Sequence, residues 1–351
     1  MPEPSNIDPR HRPRRLTIEL ANSCNLHCAY CLRDEDALYH DASRFMEIDT
    51  LRRVVREARE VAAVAEVSFT GGEPTLHPRF ADAIAACAAE GMQVSFVTNG
   101  WNFQDIFSDL RRHRDSLHHV AFSLDGTRAE AHDRWRGKGS FERLIRAFSH
   151  CHKYEIPFVV KVGIRRDTAA HLEEFAMFSA RFGAARLSFA HLMPTSPALE
   201  SNLSLTLGEQ RQAEEEIALL ARIFKMKIGI DVGYYNIDVA PPCAPLAGSS
   251  YNVDYEGRLT LCCNLSGFRG SAGHGDVVAD LNTESFADAF KRFEELRIRQ
   301  SQARQIALST LKAEGITPDL NTGSPCLFCL ESFGKLPWQT HVVEISRSAQ
   351  H

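Results

Sequence analysis

The sequence predicts an α/β protein built on a parallel sheet. From about residue 15 to residue 225, short apolar runs alternate with amphipathic helical stretches. The chemistry-bearing motifs sit just after the strand ends. Strands alternating with helices form βαβ units, and parallel α/β folds bind ligands at the C-terminal ends of their strands.

The elements follow in order. Residues 16–20, Leu-Thr-Ile-Glu-Leu, read as a strand, and a cysteine-bearing loop follows. Residues 49–65 place Leu51, Val54, Val55, Ala58, Val61 and Ala62 at helical spacing. Strand 66–70, helix 79–90, strand 92–98, helix 103–113 and strand 119–124 come next. Helix 140–154, strand 158–164, helix 169–182, strand 185–190 and helix 207–224 complete six strands, each followed by a helix or a motif-bearing loop.

After Lys227 the character changes: Gly, Pro and Asn become frequent, and cysteines return at Cys243, Cys262, Cys263, Cys326 and Cys329. The expected organisation is a flexible tail at 1–14, an α/β core at 15–230, a smaller α+β domain at 231–336 and a tail at 337–351. A chain of 351 residues is long enough for one large domain and one small one. In the second domain, residues 251–262 read as a β-hairpin about Gly257. Residues 288–316 read as mainly helical, with apolar Phe290, Phe293, Leu296, Ile306 and Leu308.

Composition narrows the partners. A formal net charge of −5 gives no reason to expect nucleic acid, and the short basic stretch from Arg10 to Arg15 reads as a solvated tail. No apolar run approaches the ~18 residues of a membrane span, and the N-terminus lacks the basic-then-apolar pattern of a secretory signal. A cytoplasmic chain is therefore expected, with its ten cysteines acting as ligands and core residues rather than disulfides.

Cys24, Cys28 and Cys31 form a C-x3-C-x2-C triplet, with Tyr30 before the third cysteine. Three thiolates on one loop can hold three irons of a [4Fe–4S] cube and leave the fourth iron open to a small molecule. Zinc is the alternative, but zinc sites pair two C-x2-C knuckles or add histidines, which the 3+2 spacing fits poorly. His27 lies inside the loop, beside Cys28. One βα unit later come Gly71, Gly72, Glu73 and Pro74. Paired glycines allow a backbone to approach a ligand closely, and the acid can accept from an ammonium group. Alone, such a tetrapeptide marks a turn.

The triplet with its aromatic residue, Thr70 to Pro74, Val97-Thr98-Asn99-Gly100 and Phe122-Ser123-Leu124-Asp125-Gly126 occur in that order. This succession closely resembles the radical S-adenosylmethionine (SAM) enzymes over about residues 15–225. The resemblance implies a partial (β/α)6, TIM-like barrel whose [4Fe–4S] cluster binds SAM through its methionine amino and carboxylate groups. It implies reductive cleavage of SAM to methionine and a 5′-deoxyadenosyl radical that abstracts a substrate hydrogen. Cys24, Cys28 and Cys31 match the cluster ligands, and Tyr30 matches an aromatic near the adenine. Gly71, Gly72 and Glu73 match the segment that meets the SAM amino group. Asn99 and Ser123 match positions near ribose or methionine. Arg136, in the segment from His132 to Phe141, matches the arginine that pairs with the methionine carboxylate, a bidentate role suited to arginine; Arg134 is its rival.

The later cysteines are patterned too: Cys243-x13-Gly257-x4-Cys262, then Cys326-x2-Cys329, with Gly275-Asp276-Val277-Val278 after the hairpin. The layout is similar to the SPASM and twitch extensions of radical SAM enzymes. No cysteine follows Cys329, so the match is to the one-cluster twitch type. That implies a second, auxiliary [4Fe–4S] cluster fully ligated by Cys243, Cys262, Cys326 and Cys329. Cys263 rivals Cys262, because a one-residue slip on a strand swaps faces, and zinc held by the same four thiols is the alternative. Cys87 and Cys151 lie on helical patterns and read as small buried residues.

A fully ligated auxiliary cluster suits electron transfer. The expected reaction is therefore a two-electron oxidation, a dehydrogenation of a small-molecule natural product or carbohydrate-like substrate. The short segment before the first strand favours a small molecule over a peptide. A ribosomal-peptide maturase that cross-links, oxidises or epimerises its substrate is the alternative. A non-catalytic iron–sulfur electron carrier or zinc-stabilised scaffold is a third reading, against which Gly71 to Pro74 and the arginine segment argue. His191, Tyr234, Tyr235 and Asp238 fall where the two domains meet and are candidates for substrate contact or proton acceptance, each with an equally simple structural role. Glu331 and Lys335, after Cys329, stand likewise. The resemblance implies a flavodoxin- or ferredoxin-type reductant; no nucleic acid or membrane partner is expected.

Overall fold

The computed structural model describes residues 14–32, 42–241, 243–267 and 275–336; the expected tails fall almost wholly outside them. The barrel half comprises β1 (Arg14–Ala21), α1 (Ile48–Ala62), β2 (Val64–Gly71), α2 (Phe80–Ala89), β3 (Gln93–Thr98), α3 (Phe103–Arg112) and β4 (Leu117–Ser123). It continues with α4 (Ala129–Arg136), α5 (Ser140–Lys153), β5 (Phe158–Ile164), α6 (Leu172–Arg181), β6 (Arg186–His191), α7 (Ser196–Glu200), α8 (Leu207–Ile223) and β7 (Lys227–Val232). The remainder is β8 (Ser250–Val253), β9 (Arg258–Thr260), α9 (Cys263–Gly267), β10 (Val277–Asp280), α10 (Phe286–Ala313), α11 (Leu320–Gly323) and α12 (Pro325–Ser332).

The ten strands among the described residues form one sheet in the order β10-β9-β8-β1-β2-β3-β4-β5-β6-β7. From β1 to β7 each strand pairs in parallel with the next. The period-2 alternation of strand side chains sorts the residues between two faces. On the outer face Phe69 sits opposite Phe96, with Phe122 further along, and rings from α2, α3 and α5 pack on them: Phe80 on Phe69 and Phe96, Phe103 and Phe148 on Phe122. The alternate positions, Ser68, Ser95, Ala121 and Ser123, are small or polar and belong to the opposite, concave face of this partial barrel. Among the described residues no helix is long and apolar enough to cross a membrane.

Three differences from the sequence reading have physical causes. The helix expected to 65 stops at Ala62, because Ala63 takes a left-handed conformation (φ 50°, ψ 40°) and Val64 already belongs to β2. The boundary placed at 230 falls inside β7, an unforeseen seventh strand whose pairing with β6 overrides the local change in composition. The C-terminal region is also not detached: β8 pairs in parallel with β1, so the hairpin extends the barrel sheet. The hairpin itself forms as expected, with Gly257 at φ +80°, and β10 occupies the expected strand after Gly275-Asp276. Ile306, placed among the apolar positions, is 67% exposed. The buried stripe of α10 is instead Phe286, Ala289, Phe293, Leu296, Gln300, Arg304 and Leu308.

Candidate cofactor-binding sites

β1 delivers the first cysteine loop to the C-terminal edge of the sheet, where Cys24, Cys28 and Cys31 are half-buried. Cys24 Sγ accepts from Leu26 N at 3.4 Å and from Asn99 Nδ2 at 3.8 Å. Asn99, just past β3, also donates to Asn25 Oδ1 at 2.8 Å, so one side chain braces the loop twice. Burial pushes the Cys24 thiol up to about 12 and the Cys28 thiol up to about 11. As free thiols both stay protonated at neutral pH, so metal binding here must release protons.

Gly71 and Gly72 act as a strap on that loop. Gly72 N donates to Ala21 O at 2.7 Å, and Glu73 N to Ser23 O at 2.8 Å. A Cβ on Gly72 would lie 2.0 Å from Ser23 O, and Gly71 sits at φ +134° with its Cβ position 2.3 Å from Ala21 O. The close approach that these glycines permit is thus to the cysteine loop's own backbone. Glu73 is buried, and its carboxylate ties two strand ends together. Oε1 accepts from Thr75 N at 3.2 Å, Thr75 Oγ1 at 2.7 Å and Thr98 Oγ1 at 2.8 Å, while Oε2 accepts from Asn99 N at 2.8 Å. Burial raises its pKa against these hydrogen bonds.

Beyond β4, Asp125 is the hub of the site. Tyr30 Oη and Arg136 Nε both donate to its Oδ2, and Arg136 Nη2 reaches Tyr30 Oη at 3.2 Å. Arg165 Nη1 donates to Oδ1 at 2.6 Å. Burial alone would raise the Asp125 pKa, but Arg136 and Arg165 outweigh it and hold the carboxyl well below the usual range. His132 Nδ1 accepts from Asp125 N at 3.2 Å, and burial brings this imidazole down to about 4, so it is neutral at pH 7. Arg134 is exposed and stacks on Trp135, 5.3 Å from the ring centroid; of the two rival arginines, Arg136 is the one inside.

Arg165, which the sequence reading passed over, is fully buried at the end of β5. Its guanidinium lies 4.8 Å from the Tyr30 centroid and 4.6 Å from that of Trp135, and its Nε donates to Asp167 Oδ1 at 2.9 Å. The missed signal was positional, because Arg165 directly follows a strand as the other motif residues do. The concave face holds a second unforeseen group. Ser123 is in register with Lys161, and Lys161 with Ser188. Lys161 Nζ and Arg186 Nη2 clasp Asp231 at 3.0 and 2.7 Å, and the two cations hold that carboxyl below its usual range against its burial.

The later cysteines gather although they span residues 243 to 329. Cys243, Cys262, Cys326 and Cys329 line one small cavity whose other walls are Pro245, Leu246, Leu261, Asn264, Leu265, Pro325 and Leu330. Asn264 Nδ2 donates to Cys326 Sγ at 3.7 Å, and Gln300 Nε2 to Cys329 Sγ at 3.6 Å. Burial pushes the Cys243 thiol up to about 12, and the Cys263 thiol together with burial pushes Cys262 well above its ordinary value. Cys263 opens α9 beside Cys262 and is not among the residues lining the cavity. Cys87 and Cys151 are buried core residues.

The donor chemistry fits iron–sulfur clusters at both places. Soft thiols ring a space at the C-terminal nest, and amide N–H groups point at two of the sulfurs, as the outer shell of such a centre requires. Among the described residues no three His, Cys, Asp or Glu side chains close to single-ion spacing. A cube places iron and sulfide between its thiolates, so its ligands surround a volume rather than meet at a point.

The remaining candidates are joints. His191 Nε2 pairs with Glu214 Oε1 at 3.1 Å, and that oxygen also accepts from Tyr235 N at 2.9 Å. Tyr235 Oη donates to Pro318 O at 2.7 Å, and its ring packs against Gly323. Tyr234 carries an electrostatic link to Arg304. Asp238 and Glu331 are exposed. Lys335 is buried, 2.7 Å from Asp276 Oδ1, and donates to Leu265 O at 2.8 Å, pinning the end of α12 to α9 and to the turn before β10.

Comparison with known proteins agrees with this geometry. Residues 18–178 match the Radical SAM superfamily. The chain is 32% identical over 208 residues to the mycofactocin maturase of Mycolicibacterium smegmatis, covering 57% of this chain and 50% of that protein. It is 25% identical over 256 residues to the PqqA peptide cyclase of Gluconobacter oxydans, covering 71% and 70%. Among solved structures, SAM-bound SuiB of Streptococcus suis matches with a TM-score of 0.66 at 14% identity, over 82% of this chain and 68% of that one. AdoMet-bound anSMEcpe matches with a TM-score of 0.63 at 17% identity, over 83% and 84%. At these identities the structures show the fold alone. The chain spans about half the length of the mycofactocin maturases it matches. Residues 18–178 therefore match a radical SAM domain, and the chain shares the fold of the SAM-bound SuiB and anSMEcpe structures.

Proposed function

We propose that this chain is a radical SAM peptide maturase that oxidises or cross-links a precursor peptide. The observation that carries this is the set of sequence relatives: mycofactocin maturase, PqqA peptide cyclase and the sporulation killing factor maturation protein SkfB of Bacillus subtilis. SuiB has been solved with its precursor peptide SuiA and anSMEcpe with the Cp18Cys peptide, on the same fold. The small-molecule dehydrogenation favoured by the sequence reading rested on the shortness of the first segment, and these relatives weigh against it.

On this reading Cys24, Cys28 and Cys31 hold the SAM-binding cluster, and Cys243, Cys262, Cys326 and Cys329 hold the auxiliary one. When bound, the first cluster would supply the electron that splits SAM to methionine and a 5′-deoxyadenosyl radical, and the second would take the electron released as the substrate radical loses a proton. The protein's own task is positioning. Arg136 gives Nε to Asp125 and Nη2 to Tyr30, and its Nη1, with no hydrogen-bond acceptor among the described residues, is the atom for the methionine carboxylate. Asp125 and Arg165 keep that guanidinium from turning. Tyr30, its ring covered by the Arg165 guanidinium, borders the adenine. The strap of Gly71 and Gly72, with Glu73 and Asn99, sets the cysteine loop against the SAM amino group, and Ser123 faces the ribose or methionine. Lys161, Asp231 and Arg186 form a polar wall on the concave face. The electron donor on this reading is a flavodoxin- or ferredoxin-type protein.

The test is anaerobic turnover of reconstituted chain with SAM, dithionite and the product of any short reading frame of precursor length found beside its gene. Formation of 5′-deoxyadenosine, with a peptide that loses two hydrogens, is the expected result. Conversion of a sugar or cyclitol alcohol, with the peptide untouched, would restore the small-molecule reading.

A further inference from the structure

The buried stripe of α10 carries Phe286, Ala289, Phe293 and Leu296, then two polar residues, Gln300 and Arg304, then Leu308. The polar pair, one helical turn apart, falls where the stripe passes the nest of C-terminal thiols. Placing a glutamine and an arginine on an otherwise apolar buried face is unfavourable unless their polar atoms are used. Gln300 is used on sulfur, donating to Cys329 Sγ at 3.6 Å. Arg304 gives Nη1 to Asp238 O at 3.2 Å and Nη2 to the carbonyls of Asn236 and Gly323. Its Nε is buried and has no hydrogen-bond partner. The groups that act on it most strongly by charge include Cys243, Cys329, Tyr234 and Cys326, three of the four cavity thiols among them.

We propose that Gln300 and Arg304 set the electron affinity of the auxiliary cluster, one as an N–H donor to a ligating sulfur and the other as a buried cation beside the thiolates. This rests on the reading that Cys243, Cys262, Cys326 and Cys329 hold a [4Fe–4S] cube. Reduction adds one negative charge to the cube. A nearby positive charge and N–H···S bonds favour the reduced form, and charge and hydrogen bonding at sulfur are recognised controls of cluster potential. At low local dielectric a fixed cation acts strongly on that charge. Both residues are positioning residues that act through the cluster and its ligands.

The test is an EPR-monitored redox titration of the full chain carrying Cys24→Ala, Cys28→Ala and Cys31→Ala, so that the auxiliary cluster alone is read. Into this parent go Arg304→Gln, which keeps amide donors for the backbone carbonyls but removes the charge, and Gln300→Leu, which removes the donor to sulfur. Each is expected to lower the midpoint potential. Arg304→Gln should shift the reduced-to-oxidised ratio at fixed potential by at least tenfold, which is about 59 mV for one electron; Gln300→Leu should shift it less. Midpoints unchanged with iron and sulfide retained would overturn the proposal and leave Arg304 as a clamp on carbonyls. If Arg304→Gln loses the cluster, Gln300→Leu decides alone. A parent without iron would instead sink the cluster assignment itself.

Discussion

The two cysteine groups of this chain solve opposite problems. The first loop packs three thiols into eight residues and leaves them half-buried at the sheet edge. Its neighbours are polar: Asn99, Tyr30, Asp125, Arg136 and Arg165. The second group draws four thiols from positions 243 to 329 into a cavity walled by leucines and prolines, with two side-chain amides aimed at sulfur. An open iron needs access and charged groups that can seize a ligand. A closed centre needs burial and neighbours that tune it. A single mixed sheet carries both cysteine groups, since β1 leads into the first loop and pairs on its other edge with β8, which begins the hairpin of the second group.

The sharpest way to break this division is at Cys262 and Cys263. Cys262→Ser is expected to remove the auxiliary cluster and about half the iron of the holoprotein, whereas Cys263→Ser leaves both. Equal losses in the two variants, measured by iron and sulfide assay, would show that Cys263 shares the ligation.

Asp125 tests the polar character of the first site. Asp125→Asn leaves the buried Arg136 without its counter-charge and Arg165 with Asp167 alone, and removing one partner of such a buried group costs about 3–5 kcal/mol. Chemical denaturation of the apoprotein should report that loss. The folded pKa of Asp125 is depressed, so its contribution is complete above the unfolded value of about 4 and declines as pH falls below it. The wild type should therefore lose stability on acidification below about pH 4, with a shallower slope in the variant.

Gly72→Ala places a Cβ 2.0 Å from Ser23 O. The expected cost is about 3 kcal/mol, by forced displacement of the cysteine loop, accompanied by weaker SAM binding in equilibrium dialysis. The auxiliary cluster should keep its iron and its EPR signal, because the strap touches only the first loop. Thr206→Ala, which breaks the capping box that joins Thr206 and Glu209 at the start of α8, should cost only about 1 kcal/mol. Neither cluster signal should change.

The same contrast explains what was legible in the sequence. The first site could be read because its ligands are contiguous and its other residues each follow a strand: Gly71, Asn99, Ser123. Arg165 obeys the same rule but belongs to no quoted motif, and its role depends on stacking between Tyr30 and Trp135, which only folding brings together. In the second region spacing found the cysteines but left Cys262 and Cys263 unresolved, since adjacent residues differ only by the direction in which the chain turns into α9. The apolar pattern of α10 misplaced Ile306 and hid Gln300 and Arg304, because a buried face there carries polar groups. β7 was missed because strand pairing with β6 overrides the composition of residues 227–232.

The most direct test of the two-site account is the iron and sulfide content of anaerobically purified protein, wild type beside Cys24→Ala/Cys28→Ala/Cys31→Ala. About eight irons are expected in the wild type and about four in the variant, with reductive SAM cleavage abolished. About four irons falling to none, or stoichiometric zinc in place of iron, would contradict it.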